Sequence, residues 1–259
     1  PFCIANLGYG SGEHAPARRD PVAELAANHH VLLAHGAAAK LLHERDDEAE
    51  VGIVLNLTHV MAASESEADL AEARFVDGLL NRWYLDALHG RGYPEDMLRH
   101  YEERLPRSAL ELLHVDDLAL ISTPTEHLGV NYYSRAIARA EGADPNAPRS
   151  IPEPPAETLT DMGWEVYPEG LRELLLRLHA DYAPARIYIT ENGAAYDDGP
   201  GVDGRIRDVR RQRFLQSHLA ACLEALAQGA PLAGYFVWSL LDNFEWRHGY
   251  EKRFGLVWV

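Results

Sequence analysis

Four short runs of apolar residues recur along the chain, and each of them ends in polar residues. The runs extend over Val51 to Asn56 (VGIVLN), Leu128 to Tyr133 (LGVNYY), Arg186 to Asn192 (RIYITEN) and Leu232 to Leu240 (LAGYFVWSL). Continuous apolar runs of this length are typical of strands that are buried on both faces of a parallel sheet. The pattern therefore predicts four buried parallel strands, and the segments between them offer no further strand.

The segments between these runs have apolar residues at helical spacing. They predict helices over Pro21 to Glu44, Glu67 to His89, Pro94 to Arg104, Asp116 to Ile121, Glu169 to Tyr182 and Arg207 to Gln228. In the fifth helix the apolar face is formed by positions 171, 174, 175 and 178, and in the sixth by 214, 215, 219 and 223. Gly229 is well placed to end the sixth helix. The five prolines between Gly142 and Thr160 predict a surface loop.

Alternation of strands and helices predicts an α/β fold with a parallel sheet. The carboxyl ends of the predicted strands carry polar or aromatic residues, namely Asn56, Asn131 with Tyr133, Glu191 with Asn192, and Trp238 with Ser239. Ligands bind at this end of the strands both in open sheets and in (β/α)8 barrels. The 259 residues would suit a minimal eight-stranded barrel, but only four strands are predicted.

Charge and composition exclude several classes of function. The formal net charge of −16 argues against binding to nucleic acid or to an anionic membrane surface, because both need a basic face. The two cysteines, Cys3 and Cys222, form neither a disulfide framework nor a Cys/His metal cluster. No apolar stretch is long enough to cross a membrane, and the first residues lack the charged start of a signal peptide. We therefore expect a cytoplasmic protein without a metal site.

Two stretches concentrate residues suited to sugar chemistry. IYITENG, at Ile187 to Gly193, places a carboxylate at the end of a buried strand, where it either faces a cleft or forms a helix cap or ion pair. WSLLDNFEW, at Trp238 to Trp246, combines two indoles with acidic and amide groups. Indole faces bind the apolar faces of sugar rings, whereas carboxylates and amides bind hydroxyls. The alternative for this stretch is a pair of core tryptophans beside a turn.

A third stretch, LGVNYYS, places Asn131 and Tyr133 on the same strand face, an arrangement that by itself is more often structural than functional. Taken together, the three stretches resemble glycoside hydrolase family 1, the retaining β-glucosidases and β-galactosidases. The resemblance extends over nearly the whole chain and includes further matches at Gly12 to Pro16, Thr160 to Leu171, Asp203 to Ile206 and Arg253 to Val257. It implies a (β/α)8 TIM barrel in which residues 1–259 are the C-terminal part of a single domain and supply about strands 5–8 with their helices.

The resemblance also implies the role of each site residue. Glu191 is the nucleophile, Tyr133 donates a hydrogen bond to it, and Asn131 supports the site from the same strand. The sugar would be bound by Trp238 as the floor, by Glu245 and Trp246 at the hydroxyls, and by Trp164 on the aglycone side. No metal or organic cofactor is implied. The substrate would be a β-glucoside or an oligosaccharide, with β-galactosides also accepted.

One family motif is incomplete in this chain. Family members carry T-[FL]-N-E-P at the end of the fourth strand, where the Glu is the general acid/base, and this chain begins at the proline of that motif, Pro1. We therefore expect the chain to be active only when the N-terminal half completes it, and to associate with a complementary N-terminal half-barrel chain or with itself. The alternatives are an inactive fragment that binds sugar weakly and an assembly or interaction module.

Overall fold

The sheet at the centre of the molecule is parallel. The computed structural model describes residues 1–46, 48–142 and 151–259. Within these ranges the strands are β1 (Gly52–Asn56), β2 (His59–Ala62), β3 (His127–Asn131), β4 (Arg135–Ala138), β5 (Ile187–Asn192) and β6 (Leu232–Val237). Strands β1, β3, β5 and β6 form the main sheet in this order, and every neighbouring pair in it is parallel. The predicted α/β class and its four parallel strands are confirmed, but the prediction that these strands are buried on both faces is wrong: β6 contains no buried residue and Val54 on β1 is 45% exposed, because the inner face of the sheet is open.

The prediction that no further strand lies between these four is wrong. Strands β2 and β4 pair with each other in parallel and form a second, two-stranded sheet. Each is only four residues long, and most of their residues are half-buried. Such segments lack the continuous apolar run by which fully buried strands are recognised in a sequence.

The described helices cover the segments that the spacing predicts. They are α1 (Phe2–Ala5), α2 (Pro21–Arg45), α3 (Glu67–Asp77), α4 (Trp83–Leu88), α5 (Glu95–Arg104), α6 (Arg107–Leu110), α7 (Val115–Ile121), α8 (Pro168–Tyr182) and α9 (Val209–Ala227). A π-helical turn, Gly78–Arg82, joins α3 to α4, so that the predicted helix of 67–89 is nearly continuous. Helix α7 approaches α2 closely at Gly36, where a Cβ would collide with the carbonyl group of Leu120. This contact explains why a glycine lies inside α2.

The apolar face of α8 lies where the spacing predicts it, whereas that of α9 is only partly correct. On α8, Leu171, Leu174, Leu175 and Leu178 are all buried. On α9, Leu219 and Leu223 are 43% and 66% exposed, and the buried face instead runs through Phe214, His218 and Cys222. Because His218 is polar, a search for apolar residues at helical spacing does not assign it to the buried face. Of the predicted loop between 142 and 160, residues 143–150 lie outside the described residues.

The two faces of the main sheet have different surroundings. On the outer face Leu55, Val130 and Ile189 are buried in a core that the helices complete. On the inner face Val54 and Phe236 are 45% and 57% exposed. Among the described strands, β1 and β6 each pair with one neighbour only and form the two edges of the sheet. The inner face and both edges are therefore available to further structure. No described helix is long and apolar enough to span a membrane.

We expect the change Leu175→Ala to lower the free energy of unfolding by about 2–5 kcal/mol, because it leaves a cavity in the core against α8. The matched change Leu223→Ala on the exposed side of α9 should alter it by no more than about 0.5 kcal/mol. Urea unfolding of the two variants measures both values. Equal losses would show that the core does not lie between α8 and the sheet.

Candidate active site

A cavity of about 460 Å³ opens at the carboxyl ends of the main strands. All seven residues that the sequence singled out line it, namely Asn131, Tyr133, Trp164, Glu191, Trp238, Glu245 and Trp246. The parallel strands end at the same edge of the sheet and bring Asn131, Tyr133, Glu191 and Trp238 together there. Loops beyond the strands contribute the other three residues. The chemical roles of all seven remain predictions.

Strand β5 contains one extra residue just before Glu191. Along β3 the partners are Val130 with Ile189 and then Asn131 with Glu191, so Thr190 has no partner of its own. The pairing with β6 has an extra β5 residue in the same region. Successive side chains of a strand alternate between faces, and a bulge of this kind reverses the alternation beyond it. Glu191 therefore faces the cavity, on the same side as Thr190.

The carboxylate of Glu191 is held by a short hydrogen bond. The hydroxyl of Tyr133 donates to Oε2 of Glu191 at 2.6 Å. Burial raises the pKa of Tyr133 well above its ordinary value, and the negative charge of Glu191 adds to the effect. Tyr133 therefore keeps its proton and acts as a donor. Beside it, the Thr190 hydroxyl donates to Oδ1 of Asn131 at 2.7 Å, which links β5 to β3 at the bulge.

Gly193 lets β6 approach the end of β5 closely. A Cβ at this position would collide with the carbonyl oxygen of Trp238. The backbone N–H of Trp238 donates to the carbonyl of Asn192 at 3.1 Å. Because glycine at position 193 permits this close approach, the Glu191 carboxylate and the Trp238 indole line the same cavity. This is a physical reason for a glycine to follow Glu191 and Asn192.

Glu245 is nearly enclosed beside this indole. It is 7% exposed, and its Oε1 accepts a hydrogen bond of 2.9 Å from Nε1 of Trp238. Burial raises the pKa of Glu245 above the ordinary value of 4.5, the indole hydrogen bond opposes the shift, and the charge of Glu191 adds to it. Glu191 and Glu245 therefore have different surroundings in the cavity, since one is held by a phenol and the other by an indole.

Two loops meet at the rim of the cavity through consecutive residues. The ring of His14 stacks on Trp246, with centroids 4.6 Å apart and planes 9° from parallel. Next to this stack, Arg247 forms an ion pair with Glu13 at 3.1 Å. Burial lowers the pKa of His14. The stack leaves one face of Trp246 covered, although the residue as a whole is 55% exposed.

Part of the cavity wall is aromatic. Trp164 lies 5.3 Å from Tyr133 between ring centroids, and Phe254 lies 6.1 Å from Tyr133. An aromatic wall of this kind suits an apolar group of a ligand. The described residues contain no group of three His, Cys, Asp or Glu side chains that could hold a metal ion.

Several other residues that line the cavity were not among the seven predicted site residues. They are Phe2, Cys3, Leu7, Glu13, His14, Asn56, Met162, Arg247, His248 and Phe254. Asn56 had a usable signal, since it ends a predicted strand. Segments that match the family contain four more of these residues, namely Glu13, His14, Met162 and Phe254. The others carry no signal of their own, because their place depends on how the loops fold across the sheet.

The whole chain matches one known protein family. The family model described as glycosyl hydrolase family 1 matches residues 1–259. Beta-glucosidase A of Acetivibrio thermocellus is 40% identical over 266 residues, which is all of this chain and 57% of that protein. Beta-glucosidase A of Thermotoga maritima is 39% identical over 267 residues, with the same coverage of both chains.

Solved structures give the same result. The family 1 β-glucosidase from Thermotoga maritima matches with a TM-score of 0.88 at 39% identity, and the AHE enzyme from Alicyclobacillus herbarius with 0.90 at 40%. Both matches cover 100% of this chain and 57% of the other. The chain therefore spans 57% of the length of these relatives. The resemblance seen in the sequence and the prediction of a partial (β/α)8 barrel are confirmed.

Because the pKa of Glu245 is raised, we expect the stability of the folded chain to depend on pH. A carboxyl group whose pKa is higher in the folded than in the unfolded chain stabilises the fold at low pH, and this contribution is lost as the pH rises through the folded value. Glu245→Gln should therefore raise the melting temperature at neutral pH, and the gain should shrink as the pH falls through the raised pKa of folded Glu245 and be largely lost once the pH is below 4.5. Thermal unfolding of both proteins across this range measures it. The exposed Glu111→Gln is the control, and a gain that grew on acidification would contradict the assignment.

Proposed function

Since the chain belongs to glycosyl hydrolase family 1, we propose that it supplies the nucleophile-bearing part of a retaining β-glycosidase that hydrolyses terminal β-D-glucosides. The observation that carries the proposal is the placing of Glu191, which the bulge turns into a cavity that Trp238 and Glu245 also line. The Tyr133 hydroxyl fixes one carboxylate oxygen and leaves the other without a described hydrogen bond. A carboxylate in this setting is suited to attack on an anomeric carbon.

The proposed reaction has two steps. Glu191 attacks the anomeric carbon and forms a glycosyl ester, while an acid/base carboxyl about 5 Å away protonates the departing oxygen. The same carboxyl then removes a proton from water, which attacks the anomeric carbon and releases Glu191. Each step inverts the anomeric centre, so the product keeps the β configuration. Tyr133 stays protonated throughout and holds Glu191 in position.

We assign the acid/base carboxyl to the part of the barrel that completes this sheet. The cavity offers two other carboxylates, and both have a partner: Glu13 is ion-paired with Arg247 at the rim, and Glu245 accepts the hydrogen bond of the Trp238 indole. Glu245 is better suited to binding than to proton transfer, because sugar hydroxyls can donate to its oxygens.

Sugar recognition in this proposal uses the aromatic and acidic residues of the cavity. The indole of Trp238 forms the floor, Glu245 and Trp246 bind hydroxyls at the non-reducing end, and Trp164 lines the aglycone side. A carboxylate that reaches neighbouring hydroxyls accepts either orientation of the 4-hydroxyl, so we include β-galactosides among the substrates. A family 1 β-glucosidase from Thermotoga maritima has been solved in complex with deoxynojirimycin, which supports a sugar-sized occupant.

The open sheet supports a partner that completes the barrel. Val54 and Phe236 leave apolar surface on the inner face, and the edges of β1 and β6 offer unpaired backbone groups. Surfaces of both kinds favour association. We propose strands one to four of a family 1 barrel as the partner, ahead of a second copy, because two chains of net charge −16 repel each other.

Completion of the barrel should switch on activity. The 259-residue chain alone should hydrolyse an aryl β-glucoside slower than the completed barrel by on the order of 10²- to 10⁴-fold, the usual contribution of an acid/base group. The test adds a polypeptide with strands one to four and measures turnover and particle mass together. Robust hydrolysis of cellobiose by the monomeric chain would contradict the proposal. A lasting absence of activity in the completed barrel would favour the binding or interaction module.

Loss of the nucleophile should abolish turnover in the completed barrel. We expect Glu191→Gln to lower kcat on the order of 10⁴-fold or more, since an amide cannot form the glycosyl ester. The exposed Glu251→Gln is the matched control and should leave kcat unchanged. A Glu191→Gln barrel that retained most of its activity would remove Glu191 from the mechanism.

A further inference from the structure

Behind the bulge of β5, a buried amide links three strands. The side chain of Asn192 is completely buried, and its Nδ2 donates to the carbonyl oxygen of Tyr132 at 2.7 Å. Its Oδ1 accepts a hydrogen bond of 2.5 Å from the hydroxyl of Tyr235 on β6. One side chain on β5 therefore bonds to the chain following β3 on one side and to β6 on the other.

This amide takes the place of backbone hydrogen bonds that the bulge displaces. A bulge leaves its extra residue unpaired and disrupts the ladder beside it. Here the backbone N–H of Tyr132 still reaches the carbonyl of Glu191 at 2.9 Å, but the Tyr132 carbonyl is satisfied by the Asn192 side chain. The pairing with β6 resumes only at Asn192 with Val237. Asn192 thus stabilises the strand where its backbone pairing is irregular.

The burial of this amide makes its partners important. A buried polar group without a hydrogen-bond partner costs about 1–3 kcal/mol. If the Tyr235 hydroxyl were missing, Oδ1 of Asn192 would lose its described partner in a place without access to solvent. The strand could avoid that cost by pairing without the bulge. Its register would then change by one residue, which would turn every following side chain to the opposite face of the sheet. Glu191 would then leave the cavity.

We infer that Asn192 and Tyr235 are positioning residues, which hold the bulge of β5 in register and thereby keep Glu191 directed into the cavity. Neither side chain lines the cavity, and both act through Glu191. The inference rests on the proposed role of Glu191 as the nucleophile. It assigns a function to two residues on the face of the sheet opposite the reaction.

Two variants break the two ends of this link. Tyr235→Phe removes the donor to Oδ1 of Asn192 and changes no other atom. Asn192→Asp keeps an acceptor for Tyr235 but places a carboxylate oxygen against the Tyr132 carbonyl. In the completed barrel we expect each to lower kcat for an aryl β-glucoside by about 10- to 100-fold, the effect of a small displacement of a reacting group, with KM little changed.

Tyr182→Phe is the matched control, since it removes another tyrosine hydrogen bond, to Asp86 at 2.7 Å, away from the cavity. It should leave kcat unchanged even where it lowers the melting temperature as much as Tyr235→Phe. A second readout needs no activity. In crystal structures of the variant chains, the carboxylate of Glu191 should move out of hydrogen-bonding distance of the Tyr133 hydroxyl.

Both readouts must change for the inference to stand. A variant with wild-type kcat, or one in which Glu191 still bonds Tyr133, overturns it. The failure of the proposed function looks different: Glu191→Gln would then leave turnover intact, whatever the two variants do. In an assembly without any turnover, the crystal structures alone decide whether Asn192 and Tyr235 position Glu191.

Discussion

The site depends on a single irregularity, the extra residue that β5 carries at Thr190. Without it, strict alternation would turn Glu191 towards the helices and Asn192 towards the cavity. With it, Glu191 meets the Tyr133 hydroxyl on one face and Asn192 is completely buried on the other. A parallel sheet supplies a rigid support for the carboxylate, but the bulge decides which side of that support the carboxylate occupies.

The remaining parts of the site are arranged around this strand. Gly193 allows the backbone of β6 to approach, which brings the Trp238 indole beside the carboxylate, and the indole in turn holds Glu245. The rim loops are joined by the stack of His14 on Trp246. In the proposed assembly, the partner that covers the open inner face of the sheet also supplies the acid/base carboxyl, so that assembly and catalysis are linked.

Much of this architecture follows from the sequence, because strong periodicity identifies buried elements. The four main strands and the buried face of α8 could be predicted in this way. The short strands β2 and β4 could not, since four half-buried residues carry no clear pattern. The buried face of α9 was partly missed because it includes His218. The seven site residues came from motifs, whereas the bulge and the His14 contact depend on long-range packing that no local pattern records.

The most direct test of this account is to trap the sugar on the protein. A 2-deoxy-2-fluoro β-glucoside with a good leaving group forms the glycosyl ester but hydrolyses it slowly, so the ester accumulates on the nucleophile. After digestion of the completed barrel, mass spectrometry should find the added sugar on the peptide that contains residues 187–193, attached to Glu191. A label on Glu245 or Glu13, or no label in a barrel that turns over substrate, would contradict the account.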